Sequence, residues 1–345
     1  MRTVSSLRSR LSFLVPPIAV GLALAGCDDG SSSGYRPFDS LNQTEVHAWI
    51  TAYETMKDKG EAAIAPGADI HTLYTDIAGV YTNSGLQAEI VERTDPHAYD
   101  PIAATFGQYV DRQITRAILM AHAASGPTAT SDLEYAEETI DKLLQVFFYV
   151  SLSYELDERS RGGVDEAFAW YGLPAAGKGQ RALAATAQKR ETAYTITING
   201  EVEQAFLDAR AAMAAGTNAT TPTLAIPDAA YDAASEAIDH QGLRILAYSV
   251  KSYLEQLRDA PTTDPDVHLL EARAFWFGLA PYATSVAPSA ATALDALLYP
   301  AGKPAVDGPG VHFVAGLAEV RSGARVIDAA AALAQLDAVL VALGE

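Results

Sequence analysis

The feature that most restricts the fold is a helical period that recurs along most of the chain. Leu243, Leu246, Ala247, Val250, Leu254 and Leu257 follow one another at steps of three and four, the spacing that lines one buried face of an α-helix. Phe106, Val110, Ile114, Ala117 and Ile118 repeat the pattern, as do Val202, Ala205, Phe206, Ala209 and Met213. The period of two that marks a half-buried strand is nearly absent. Residues 194–198 are briefly strand-like, but one such run cannot make a sheet. The expected fold is therefore an all-α helical bundle, with breaks where Gly, Pro, Ser and Thr gather near 125–131, 216–228, 259–266, 283–289 and 300–311.

The N-terminal region follows different rules. Arg2, Arg8 and Arg10 precede a mostly apolar stretch, Leu11 to Ala25, which is too short and too interrupted by Pro16-Pro17 for an ordinary spanning helix. It closes on Leu24-Ala25-Gly26-Cys27: an aliphatic residue, two small residues and the only cysteine of the chain, the order of a lipobox. The expectation is a lipoprotein signal peptide over 1–26, a lipid on Cys27 as membrane anchor, and a tether over 27–44 whose start is rich in Asp, Gly and Ser. The working part then lies in the cell envelope, on the periplasmic side of the inner or outer membrane or at the cell surface. Behind the tether, 45–215 and 216–345 are expected as two helical units, either distinct or merged into one continuous domain.

Cleavage before Cys27 removes 26 residues and three arginines, moving the net charge from −19 to −22. The mature chain has no second cysteine for a disulfide. Its acidic surface repels nucleic acid, attracts cations and favours solubility.

The two units share a weak repeat. Ile140-Asp141 opens an apolar helix that is followed by a polar break and then Asp165-Glu166-Ala167-Phe168-Ala169-Trp170-Tyr171-Gly172. Ile238-Asp239 opens another, followed by a break and Glu271-Ala272-Arg273-Ala274-Phe275-Trp276-Phe277-Gly278. In each unit an acid stands seven residues before a glycine that an aromatic pair precedes, with proline beyond. The aromatics read as core, and the Gly and Pro as helix ends. The acids read as paired or cation-bound, because an isolated buried carboxylate is costly.

In the second unit Asp264-Pro265 forms a helix start, with Asp264 as N-cap and Pro265 at the first helical position. The helix then carries His268 and Glu271 three residues apart, on one face. That spacing can supply two ligands to a transition metal, but alone it is a weak signal, since any exposed His and Glu pair with no ligand satisfies it. Asp239 and His240 join them if the preceding helix returns antiparallel. His47, His71, His97, His122 and His312 are scattered without ligand spacing and read as surface or core residues. Walker and Rossmann glycine loops, a Gly-x-Ser-x-Gly elbow and His-Glu-x-x-His are all absent from the sequence.

From Gly163 to Leu298 the order of features resembles the iron-assimilating periplasmic proteins of algae and their bacterial relatives. The matching segments are Val164 to Gly172, Leu183-Ala184 through Lys189-Arg190, Gln241 to Tyr248, and Leu270-Glu271-Ala272-Arg273-Ala274-Phe275, where Ala272 replaces the usual glycine. His268 and Glu271 are also similar to the end of the Gly-x-His-x-x-Glu motif of imelysin-like proteins, with Asp266 in place of glycine. Both resemblances imply iron acquisition or sensing at the envelope. They imply carboxylates and His268 as ligands; together with the helix reading this makes Glu271, His268, Asp239, His240, Asp165 and Glu166 the candidate metal ligands, with iron or another divalent or trivalent cation bound and an envelope transport protein as partner. Two alternatives stand beside this reading: a metal-free module that recruits another envelope protein through its acidic helical surface, and an envelope hydrolase.

Overall fold

Each of the apolar periods becomes a helix. The computed structural model describes residues 35–93, 106–125, 129–173, 180–217, 221–224, 228–260, 264–303 and 311–345, and the described residues contain thirteen α-helices and no β-strand. The signal segment, Cys27 and the tether through residue 34 lie outside the described residues. In chain order the helices are α1 (Thr44–Ile64), α2 (Ile70–Asn83), α3 (Leu86–Glu92), α4 (Phe106–Ala123), α5 (Ala129–Asp157), α6 (Arg161–Tyr171) and α7 (Ala182–Tyr194). They continue with α8 (Asn199–Gly216), α9 (Ala229–Asp259), α10 (Pro265–Val286), α11 (Pro288–Leu298), α12 (Leu317–Arg321) and α13 (Ala329–Ala342). No helix among the described residues is long and apolar enough to cross a membrane.

The centre is α5. From Thr139 to Leu152 every residue is buried, as expected of a helix surrounded by others on all sides. It packs against α1, α4, α6, α7, α9 and α10, and α10 lies along both α5 and α9. One apolar core runs from Tyr35 to Leu343 across both expected units.

The repeat is visible in α5–α6 and α9–α10. Trp170 and Trp276 are both buried, but their surroundings differ. Trp170 stacks between Trp49 and Phe148, with ring centroids 5.4 and 5.5 Å away. Trp276 instead donates through Nε1 to Asp295 Oδ1 at 2.8 Å.

The two glycines also diverge. Gly172 ends α6 in the left-handed region, φ 84°, as the sequence suggested. Gly278 does not end its helix: α10 runs on through Pro281 to Val286. A Cβ at Gly278 would lie 2.9 Å from Val146 Cγ1 and 3.1 Å from Leu246 Cδ1, so this glycine serves the close approach of α10 to α5 and α9. Tertiary burial along α10 outweighs the local stop signal. Pro265 takes the first position of α10 as expected, whereas Asp264 adopts φ 43° and makes no side-chain cap.

The described part of the expected tether, from Tyr35 to Thr44, is packed on the fold, and Asp165 is the reason. This fully buried carboxylate accepts from the Tyr35 hydroxyl (2.7 Å) and the Phe38, Asp39 and Asn42 Nδ2 nitrogens (3.0 Å each). Four donors satisfy both oxygens, so Asp165 clamps the N-terminal segment to α6.

Candidate functional site

The apolar surround of α5 is interrupted near its start by Glu137, Glu138, Asp141, Lys142 and Gln145. Positions 137, 138, 141, 142 and 145 fall on one side of a helix. Around that side stand Tyr53 and Lys57 of α1, Thr186 of α7, Tyr253 of α9, and His268 and Glu271 of α10.

Asp141 is the acceptor hub. It is 2% exposed and receives the Tyr53 hydroxyl at 2.5 Å, Lys142 Nζ at 2.6 Å, Gln145 Nε2 at 2.9 Å and Lys57 Nζ at 3.0 Å. Lys142 joins the two repeats: its ammonium also lies 2.8 Å from Glu138 Oε2 and 3.3 Å from Glu271 Oε1. The other Glu271 oxygen, Oε2, sits 3.2 Å from His268 Nδ1, and the His268 ring stacks on Tyr253. Lys57 Nζ approaches Glu137 Oε1 at 3.7 Å. One oxygen each of Glu137, Glu138 and Asp141 lies within 4.8 Å of the others.

Four carboxylates thus face two ammonium groups, and the imbalance divides them. Burial, then the charges of Glu138 and Asp141, push the Glu137 carboxyl up from 4.5 to about 8. Burial also pushes Asp141 upward, but Lys142 and Lys57 outweigh it and hold this acid well below the usual carboxylate range. Glu271 is likewise held low against burial by the His268 hydrogen bond and by Lys142. Lys142 is kept charged despite burial by Asp141 and its other anionic neighbours.

A pH dependence follows. Between about 4.5 and 8 the folded chain binds a proton at Glu137 that the unfolded chain has released, so this group lowers stability as pH rises through that window. Asp141 and Glu271 act in the opposite sense, contributing stability above the ordinary carboxylate range that is lost on acidification. Glu137→Gln should therefore flatten the decline in urea midpoint between pH 5 and 8. An unchanged slope would mean that Glu137 does not hold that proton.

Of the six ligands nominated from sequence, the structure brings together only His268 and Glu271. Asp239 and His240 are separated from them by register. The α9–α10 pair is antiparallel as expected, but His268 meets Tyr253, and Asp239 stands fourteen residues earlier, roughly 21 Å along the helix. There Asp239 accepts from the Tyr149 hydroxyl at 3.1 Å and also from Ser153, beside Tyr282 and Ser285 of the far end of α10. His240 Nε2 lies 2.8 Å from the Leu343 carbonyl. Asp165 is the clamp described above. Glu166 lines a cavity of about 590 Å³ with Glu45, Glu89, Glu92, Glu155 and Glu158. In that cavity burial, then the charges of Glu155 and Glu158, push Glu166 to about 8. Asp266, at the glycine position of the imelysin-like motif, is 1% exposed; it accepts from the Tyr135 hydroxyl and Arg321 Nε, both at 2.5 Å.

The residues that sequence reading missed are Glu137, Glu138, Asp141, Lys142 and Lys57. A signal existed: a Glu-Glu-x-x-Asp-Lys run leads directly into an apolar helix, and Asp141 already marked the repeat. Compared with protein-family models, curated proteins and solved structures, the chain matches none.

Proposed function

We propose that the chain is a non-enzymatic, lipid-anchored cell-envelope protein that binds iron for assimilation. The metal would be held where Glu137, Glu138, Asp141 and Glu271 converge, with His268 at the edge. The observation that carries this reading is the convergence of four carboxylates from two helices around one buried ammonium. That ammonium lies 2.6 to 3.3 Å from three of them, so the cluster already accommodates a positive charge. Oxygen donors with one imidazole suit iron better than copper(I) or a structural zinc. The proton held on Glu137 is one that an incoming cation can displace, which frees that carboxylate as a further anionic ligand. The lipid anchor and the assimilation role rest on the lipobox order and on the family resemblance.

Glu271→Gln and His268→Ala test the assignment. Each should weaken iron binding by at least about ten-fold while far-UV circular dichroism stays the same. Unchanged affinity in both variants would take these residues out of the site.

One observation favours the metal-free interaction reading. The cavity beside Glu166 gathers six glutamates around Arg93, which donates to Glu89 and Glu155 and lies 4.4 Å over the Tyr154 ring. Such a cavity suits a cationic group on a partner protein. Binding of an envelope partner that survives Glu271→Gln but is lost in Glu166→Lys would support this role.

A further inference from the structure

We propose that His71 and His122 form a surface site for a borderline divalent d-block cation, zinc or copper(II), separate from the carboxylate cluster. The two are 51 residues apart in sequence, and the packing of α2 on α4 brings them together. His71 is the second residue of α2, and His122 the last but one of α4. The two helices run antiparallel, because Tyr81 late in α2 donates to Asp111 early in α4 at 3.0 Å. The start of α2 therefore meets the end of α4, and the imidazoles face each other with Nδ1 to Nδ1 3.2 Å.

That distance is the main evidence. With Zn–N of about 2.0–2.1 Å, two nitrogens on one metal are separated by roughly 2.9 Å at a right angle and roughly 3.4 Å at the tetrahedral angle. The observed 3.2 Å lies between the two, so a metal needs no movement of either helix backbone. The rings are inclined at 72° with centroids 5.0 Å apart. This arrangement allows two in-plane lone pairs to converge.

Local structure frames the pair. Asp69 caps α2 just before His71 by accepting from the Thr72 amide at 3.1 Å, and the His122 ring rests edge-on against Tyr74, which is fully buried. His71 is exposed and His122 half-buried, which leaves the remaining coordination positions to water. Among the described residues no third His, Cys, Asp or Glu completes the group. Two imidazoles without thiolate or carboxylate favour copper(II) and zinc over ferrous iron, which lies lower in the order of site affinities. The acidic surface raises the local concentration of any such cation.

The test is zinc competition against a chromophoric chelator with the full chain and three variants, together with copper(II) electron paramagnetic resonance. His71→Ala and His122→Ala should each weaken zinc binding at least ten-fold. Glu319→Gln, an exposed carboxylate on α12, should leave it unchanged. Copper(II) on the wild type should show nitrogen hyperfine structure from two imidazoles, reduced to one in either histidine variant. Zinc affinity that survives both histidine substitutions would overturn the proposal. So would a copper spectrum that neither substitution alters, since the two rings would then share only a hydrogen bond. Loss of zinc binding in Glu319→Gln alone would show that surface charge, and not the imidazole pair, holds the metal.

Discussion

Lys142→Met is expected to destabilise the fold by about 3–5 kcal/mol at pH 7, the cost of removing one partner from a buried ion cluster. Methionine fills nearly the same volume, so the loss is electrostatic. The ammonium lies within 3.3 Å of Glu138, Asp141 and Glu271, and without it those carboxylates keep Lys57, Lys189 and the hydrogen bonds from His268, Tyr53 and Gln145 as weaker compensation. Some relief comes through protonation, so the penalty should shrink as pH falls toward 5. If the ammonium occupies the position that iron takes, added iron should restore much of the lost stability, because a ligand that binds only the folded state stabilises it by mass action. Urea unfolding with and without iron reads both effects. A loss under about 1 kcal/mol would show that the cluster is well solvated and that Lys142 is not its keystone.

Trp170→Ala should cost a similar amount, about 3–5 kcal/mol, through lost burial and the cavity left behind. The indole is packed between Trp49 and Phe148 and meets Phe147 edge-on at 5.6 Å, which leaves little freedom for the site to collapse. The corresponding phenylalanine variants separate the two repeats. Among the described residues Trp170 Nε1 is buried without a hydrogen-bond partner, so Trp170→Phe removes an unsatisfied donor along with some volume. Trp276→Phe breaks the bond to Asp295 and should cost more. Equal losses at the two positions would contradict that difference.

How much of this was legible in the sequence depends on range. The periods through Leu243–Leu257, Phe106–Ile118 and Val202–Met213 report local geometry, and every residue named in them is buried on α9, α4 or α8. The break at 283–289 was legible too, with α10 ending at Val286 and α11 starting at Pro288, whereas the other four breaks lie partly outside the described residues. Gly278 and Pro281 misled because the burial of α10 between α5 and α9 is a tertiary effect that a local stop signal does not reveal. The His268–Glu271 pair was legible because both residues lie on one helix. Its partners were not: Lys142 reaches Glu271 only through the packing of α5 on α10. Register, invisible in sequence, carried Asp239 and His240 to the far end of the same helix pair. His71 and His122 are the clearest case, scattered in sequence and 3.2 Å apart in the fold.

Iron binding where the carboxylates of α5 and α10 converge is the proposal on which the function rests. Calorimetric titration of the purified chain with ferrous and ferric iron at pH 7, repeated in two buffers of different ionisation enthalpy, checks it. With Glu137 titrating at about 8, the account predicts one saturable iron site whose filling releases about one proton, and loss of that release in Glu137→Gln. Absence of iron binding, or binding that releases no proton and persists in Glu137→Gln and Glu271→Gln alike, would contradict it.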